Sequence, residues 1–369
     1  MANTNLIAAQ KAKNDEFYTM MEDIEKELVY YKKHFKGKTV YCNCDTEESN
    51  FVRYFVGRFE ELGLKKLIAT HWNDGGAPSY KAEWANGSDE PIRTALSGDG
   101  DFRSPECVEL LKEADIVVTN PPFSLARGFI SILYEYGKKF VIIGDLNWVA
   151  YKEVFPLFKD NRMFFGYTPV KQFITPNGTA AKFGNKVWFT NLDLDKAHEP
   201  RTLTKNYYGN EERYPKYENY DAIECGRVSD IPKDYFPCWH ECPHAGHCRY
   251  AETEGKEDEY TEGFLFAECR KCSGIIGVPV TYLSTHCTSQ FYILGITDRN
   301  NPYGLTTKIF TKDEIPNYSD CNRRGAIRTS DGAIKSTYAR LLIRRKETKK
   351  ANLHPQKVRL PYENHEPKE

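Results

Sequence analysis

No apolar run in this chain of 369 residues approaches the roughly 20 residues that a membrane-spanning helix needs. The opening stretch, Met1 to Lys13, is polar and lacks the apolar core of a secretory signal, so a cytoplasmic protein without membrane contact is expected. Net charge is equally scarce. Lys and Arg number 51 against 52 Asp and Glu, and a balance of −1 does not by itself announce a nucleic-acid binder. Cysteine breaks the pattern: there are eleven, and Cys238, Cys242, Cys248, Cys269 and Cys272 are five of them. Such clustering favours a metal site over a disulfide framework. Hydrophobic content of 40% and aromatic content of 14% are those of a globular protein, with length for two domains and a sizeable core.

The distribution of charge says more than its sum. Between Asn322 and Leu360 stand twelve Lys or Arg and two Asp or Glu, while Glu252 to Glu262 is acidic. A basic face and a solvated basic tail both fit that imbalance.

The most informative stretch is Ala114-Asp115-Ile116-Val117-Val118-Thr119-Asn120-Pro121-Pro122-Phe123. Ile116 to Val118 reads as a buried strand, and two prolines stop it. Asn120 and Phe123 are thereby left at the strand's carboxyl end, where open α/β sheets place their ligand sites. An exocyclic amine such as N6 of adenine is a poor nucleophile, because its lone pair is delocalised into the ring. Two acceptors aimed at its N–H groups free that lone pair, and the Asn120 side-chain oxygen and the Pro121 carbonyl can supply them. Phe123 offers a face on which a base can stack. Placement against an electrophilic methyl group then suffices, without a metal or a strong base. The bland reading is a strand ending in a proline turn.

With its last position filled by Phe, this stretch resembles motif IV of adenine-N6 methyltransferases that use S-adenosylmethionine. Upstream, Asp15-Glu16-Phe17-Tyr18-Thr19 resembles motif X of the same enzymes, and the resemblance implies that Phe17, Tyr18 and Thr19 help hold the cofactor. Thr19 also reads as the cap of a helix over Met21 to Phe35. The first strand, Lys38 to Asp45, is followed by Thr46-Glu47-Glu48-Ser49-Asn50-Phe51, where most such enzymes carry a glycine-rich turn. A strand ending in Cys-Asn-Cys-Asp that leads to Ser-Asn-Phe resembles the variant in EcoRI-type adenine methyltransferases. That likeness makes Asp45, Ser49 and Asn50 cofactor candidates; a turn residue and a helix cap are their plain alternatives. After the second strand, Leu64 to Thr70, Asp74 could meet the ribose hydroxyls, and 73–97 reads as loop or hairpin. Gly98 to Ser104 resembles motif III, in which Asp101 accepts from the cofactor adenine and Phe102 packs on its ring.

The expected fold class is α/β: a Rossmann-like methyltransferase sheet, mostly parallel, closed by an antiparallel hairpin of Met163 to Tyr167 and Lys186 to Thr190. Residues 1–195 would form the S-adenosylmethionine-binding catalytic domain and 196–369 a target-recognition DNA-binding region. At the start of the latter, Tyr207, Tyr208, Tyr214, Tyr217 and Tyr220 interleave with Lys205, Arg213 and Lys216, a mixture that suits phosphate and base contacts or an ordinary polar surface. Gly277 to Leu283 and Gln290 to Ile296 read as strands, and Lys335 to Arg345 as an edge strand or helix. Within 236–274, Cys242, Cys248, Cys269 and Cys272 form the expected tetrahedral zinc set, with Cys238 or a histidine as substitute; an iron–sulfur cluster is the alternative.

The resemblance to EcoRI-type adenine methyltransferases runs from about Lys13 past Tyr292, the Cys-rich stretch departing from it. It implies a site-specific enzyme that binds double-stranded DNA, flips an adenine and methylates N6, working as a monomer in a restriction–modification setting with a cognate endonuclease. Alternatives are an RNA adenine methyltransferase and a non-catalytic, zinc-containing DNA-binding protein.

Overall fold

The computed structural model describes residues 18–73, 79–88, 90–175, 179–235, 274–304 and 308–346. Phe17, Asp74 and all five clustered cysteines fall outside them. The chain divides into two compact units, Met1–His198 with Leu283–His286, and Glu199–Tyr282 with Cys287–Glu369. No helix among the described residues is long and apolar enough to cross a membrane.

The first unit is built on buried apolar runs. Thr39–Cys42 (β2), Ile116–Thr119 (β6) and the middle of Lys139–Asp145 (β7) are inaccessible along their length, so both faces of the sheet are covered there. With Tyr18–Thr19 as β1, Lys66–Thr70 as β3, Tyr80–Ala85 as β4, Ile92–Ala95 as β5, Phe164–Pro169 as β8, Phe173–Ile174 as β9, Ala180–Ala181 as β10 and Lys186–Thr190 as β11, the main sheet runs β5-β4-β3-β2-β6-β7-β11-β8. Strands β3, β2, β6 and β7 are mutually parallel, so their carboxyl ends lie along one edge. Strand β11 is antiparallel to both β7 and β8, the closing arrangement expected.

The expectation of a mostly parallel sheet needs correction. Three of its pairings are parallel and four antiparallel, because the segment read as loop or hairpin is a hairpin, β4–β5, that joins the sheet on the far side of β3. A second small sheet, β1-β9-β10, carries Thr19. The helices bearing on the site are Met21–Leu28 (α1), Asn50–Gly57 (α2), Pro105–Glu113 (α3) and Ala126–Glu135 (α4).

Helix α1 is pinned to β8 through a buried carboxylate. Glu27 accepts from the Tyr31 hydroxyl at 2.7 Å, the Tyr167 N–H at 2.7 Å, and the Thr168 N–H and Oγ1, both at 2.6 Å. Gly166 is required opposite it: a Cβ there would come within 2.1 Å of Glu27 Oε1. Glu27→Gln turns one acceptor oxygen into a donor facing donors. A loss of about 2 kcal/mol is expected, read as a lower urea midpoint at an unchanged slope.

The second unit holds a four-stranded sheet in the order β12-β13-β17-β14, formed by Ile223–Glu224, Ile275–Pro279, Arg340–Arg345 and Phe291–Ile296, and a hairpin of Ala326–Arg328 (β15) and Ile334–Ser336 (β16). One expectation changes here and one pair of alternatives is narrowed. The segment read as an edge strand or helix divides into β16 and β17, and β17 lies inside its sheet, where Leu341, Leu342 and Ile343 are buried. The interleaved tyrosines are largely core. Tyr207 is buried and packs with the buried Tyr214 and Tyr235, and Tyr217 is buried against Tyr220. The Tyr217 hydroxyl donates to Glu224, whose other oxygen takes Arg340 Nε at 2.7 Å. Spacing alone could not separate aromatics that fill a core from aromatics that meet a base.

Candidate active site

Asn120 follows the last residue of β6 at the carboxyl edge of the parallel strands and is half-buried. Pro121 is buried, and Pro122 leads into a single 3-10 turn, Phe123–Leu125, closed by the Leu125 N–H on the Pro122 carbonyl at 3.0 Å. The Phe123 ring is 9% exposed. Trp148 and Phe173 approach it at large interplanar angles, with centroids 6.1 and 6.4 Å away, and the Lys186 ammonium sits 4.2 Å from its centroid.

Asp45 ties the end of β2 to the end of β6. Its N–H donates to the Thr70 carbonyl at 3.1 Å. Its carboxylate accepts from Thr119 Oγ1 at 2.5 Å, from the Ser49 hydroxyl and from the Asn120 N–H. Burial is the larger influence and pushes its pKa up to about 7, against the pull of those three donors. Asp45 is 7% exposed and faces motif IV.

The rest of the expected cofactor loop gathers around it. Ser49 caps α2, accepting from the Val52 N–H at 3.2 Å. The Asn50 amide donates to the Thr19 carbonyl at 2.8 Å and so joins α2 to β1. Thr19 is 4% exposed, and its hydroxyl has no hydrogen-bond partner among the described residues. A buried hydroxyl of that kind is what a polar ligand would satisfy. Tyr18 is exposed.

Asp101 and Phe102 lie on the turn before α3. Gly100 adopts φ +83°, and a Cβ there would meet the His71 carbonyl at 2.1 Å, so only glycine lets this turn lie against the end of β3. Asp101 accepts from the Arg103 N–H at 2.8 Å and from its guanidinium at 2.9 and 2.5 Å. That guanidinium holds the Asp101 carboxyl below the usual carboxylate range. Phe102 is buried edge-on to Phe129 of α4, with centroids 5.0 Å apart. Trp72, just past β3, donates from its indole to Asp99 at 3.0 Å.

Direct contacts thus bring together Thr19, Asp45, Ser49, Asn50 and the motif IV backbone. Asp101 and Phe102 are placed by the end of β3 and by α4. Sequence reasoning passed over Lys186, whose ammonium binds Asp145 at 2.7 Å at the same edge. The available signal was a lysine opening an otherwise apolar strand, Lys186-Val187-Trp188-Phe189. Among the described residues no group of His, Cys, Asp and Glu could hold a metal ion. The zinc set expected at Cys242, Cys248, Cys269 and Cys272, with Cys238 as substitute, lies outside them.

A large mixed sheet with Asn-Pro-Pro-Phe at the end of a central strand defines the class as an amino-methyltransferase. Residues 5–239 match the family described as adenine-specific methyltransferase EcoRI, and the chain belongs to that family. It is 40% identical to the type II methyltransferase M.EcoRI of Escherichia coli, over 79% of this chain and 89% of that one. It is 33% identical to the type II methyltransferase M.MgeORF184P of Mycoplasma genitalium, over 92% and 98% of the two chains. The corresponding figures for the type II methyltransferase M.MpnI of Mycoplasma pneumoniae are 34%, 92% and 97%. No solved structure matches.

Proposed function

We propose that this adenine-specific methyltransferase acts on N6 of an adenine flipped out of duplex DNA. The observation that carries the reading is the bond from the Asn120 N–H to the Asp45 carboxylate, which fixes motif IV to the loop where a cofactor would sit. S-adenosylmethionine supplies an electrophilic methyl group when bound. Its amino-acid end suits the polar atoms around β1 and α2: the unsatisfied Thr19 hydroxyl and the Asp45–Ser49–Asn50 turn, with Tyr18 alongside; Phe17 is added by the family resemblance alone. Asp101 and Phe102 would meet its adenine, which requires Asp101 to share or release Arg103.

The protein's own part is placement. Asn120 Oδ1 and the Pro121 carbonyl accept from the two N6 hydrogens and turn the nitrogen lone pair out of the ring. Stiff Pro121-Pro122 geometry fixes the carbonyl, and Phe123 stacks on the base. Once methylated, N6 is acidic enough to lose its surplus proton to water, so no dedicated base is needed. The second unit, with its cationic C-terminal third, is the proposed target-recognition region, and flipping exposes the base to the first. The setting is cytoplasmic, as a monomer that marks host DNA against a cognate restriction endonuclease.

The test is direct. Purified protein is incubated with S-adenosylmethionine and adenine-unmethylated duplex DNA, and the nucleosides are analysed by mass spectrometry. N6-methyladenine is expected. Product on RNA with none on duplex DNA would move the enzyme to RNA. A folded protein that binds no cofactor would end the methyltransferase mechanism proposed here.

Cysteine spacing also supports a structural zinc held by Cys242, Cys248, Cys269 and Cys272. About one equivalent of zinc per chain is expected by elemental analysis, with loss on Cys269→Ser while S-adenosylmethionine still binds.

A further inference from the structure

The structure holds a buried cation at the aromatic ring on which the target base is proposed to stack. Lys186 opens β11, the strand antiparallel to β7, and register places it directly opposite Asp145. Its side chain is 8% exposed. Besides the 2.7 Å contact with Asp145, its ammonium lies 4.2 Å from the Phe123 ring centroid and 5.4 Å from that of Phe183. Asp145 is itself held from both sides. Its Oδ1 accepts from the Asn147 N–H at 2.8 Å, and its Oδ2 accepts from the Asn185 amide at 2.6 Å. A lysine so enclosed is costly to desolvate, and a structural ion pair does not require an aromatic face.

We propose that Lys186 is a base-positioning residue: its ammonium donates to the ring nitrogen of the flipped adenine that flanks the amino group, N1 or N7. The inference rests on the adenine reading given above. Before DNA binds, the ammonium covers the Phe123 face through a cation–π contact. When the base takes that face, the flexible stem lets the ammonium move to the base edge without leaving Asp145. An ammonium carries three N–H donors, so Asp145 and a ring nitrogen can be served together. Adenine then meets two acceptors at its amino group, from Asn120 and Pro121, and one donor beside it.

Electrostatics explains why the donor arrives as an ion pair. Positive charge develops on N6 as it attacks the methyl group, and an unpaired cation beside it would oppose that. Asp145 cancels the field while leaving the directed N–H in place. The role is therefore orientation, and contact at N1 would add recognition, since hypoxanthine and guanine present N–H there while all three bases share an acceptor at N7.

The experiment uses the full-length protein and, once the target site is mapped, duplexes carrying 1-deazaadenine or 7-deazaadenine at the target position alone. Single-turnover methylation is measured for wild type and Lys186→Met, and S-adenosylmethionine binding is measured separately. Wild type is expected to lose roughly ten- to hundredfold on one analogue. Lys186→Met is expected to lose a similar factor on ordinary adenine, to bind cofactor normally, and to show no further loss on that analogue. If the variant is as sensitive as wild type to both analogues, the ammonium does not touch the base and the proposal fails. Should Lys186→Met not fold, the wild-type arms still decide, because full rates on both analogues would overturn it. Absence of N6-methyladenine from wild type on ordinary DNA would instead refute the function proposed above.

Discussion

Asn120→Ala is expected to slow methyl transfer by roughly a hundred- to a thousandfold while leaving S-adenosylmethionine binding within experimental scatter. The reasoning separates side chain from backbone. The side-chain oxygen is one of only two acceptors proposed to draw the N6 lone pair out of the ring, and the methyl of alanine cannot replace it. The Asn120 N–H survives the substitution, so its bond to Asp45 and the β6 turn persist. Loss should therefore fall on the rate constant of the bound complex, as expected for an interaction made in the transition state. Asn120→Asp keeps oxygen acceptors but sets a second carboxyl close to the buried Asp45, so it should fall between alanine and wild type. Single-turnover methylation on saturating DNA, with calorimetry for the cofactor, checks both. An alanine variant retaining more than about a tenth of the wild-type rate would show that Asn120 is not the principal acceptor.

Much of this site could be read in the sequence because its determinants are local. Ile116-Val117-Val118 is a continuous apolar run stopped by Pro121 and Pro122, and strand, stop and carboxyl edge follow from adjacent residues. Ser49 lies at the start of α2 for the same reason. Determinants that depend on distant partners were not legible. Lys186 acquires its meaning from Asp145, 41 residues earlier, through antiparallel pairing that no periodicity announces. Asp45 is a cofactor candidate only through the family resemblance of its strand end. What the sequence does not announce is its bond to Thr119, 74 positions on, which follows because parallel β2 and β6 end side by side. The polar composition of 73–97 leaves loop and hairpin open, and it does not show that the β4–β5 hairpin pairs with β3. Five tyrosines among basic residues suit a contact surface and ordinary packing equally, and burial places Tyr207, Tyr214 and Tyr217 in a core.

Asp45 gives the second large effect, and it sets stability against rate. The folded pKa lies near 7 against 3.8 for the ordinary carboxyl. Between those values the unfolded chain has released its proton while the native protein keeps it. The unfolded state thus binds fewer protons, and stability falls as pH rises through this window. The cost is absent below the lower value and complete above the upper one, where a shift of this size corresponds to about 4 kcal/mol. Asp45→Asn never ionises. Its thermal midpoint should exceed that of wild type at pH 8, by up to that amount in free energy, and the difference should vanish near pH 4. Activity should move the other way. Only the ionised carboxylate offers charge-assisted acceptors to both the Thr119 hydroxyl and the Asn120 N–H, so wild-type transfer should decline as pH drops through 7. The carboxamide introduced by the substitution keeps one acceptor oxygen and presents N–H groups where the other stood. The Asp45→Asn enzyme should be roughly ten- to hundredfold slower at pH 8, with a flat profile between pH 6 and pH 8. A variant that kept the wild-type pH profile would show that another group titrates and that Asp45 does not hold motif IV through its charge. A variant both slower and less stable at pH 8 would mean that burial costs this carboxylate less than its three hydrogen bonds return.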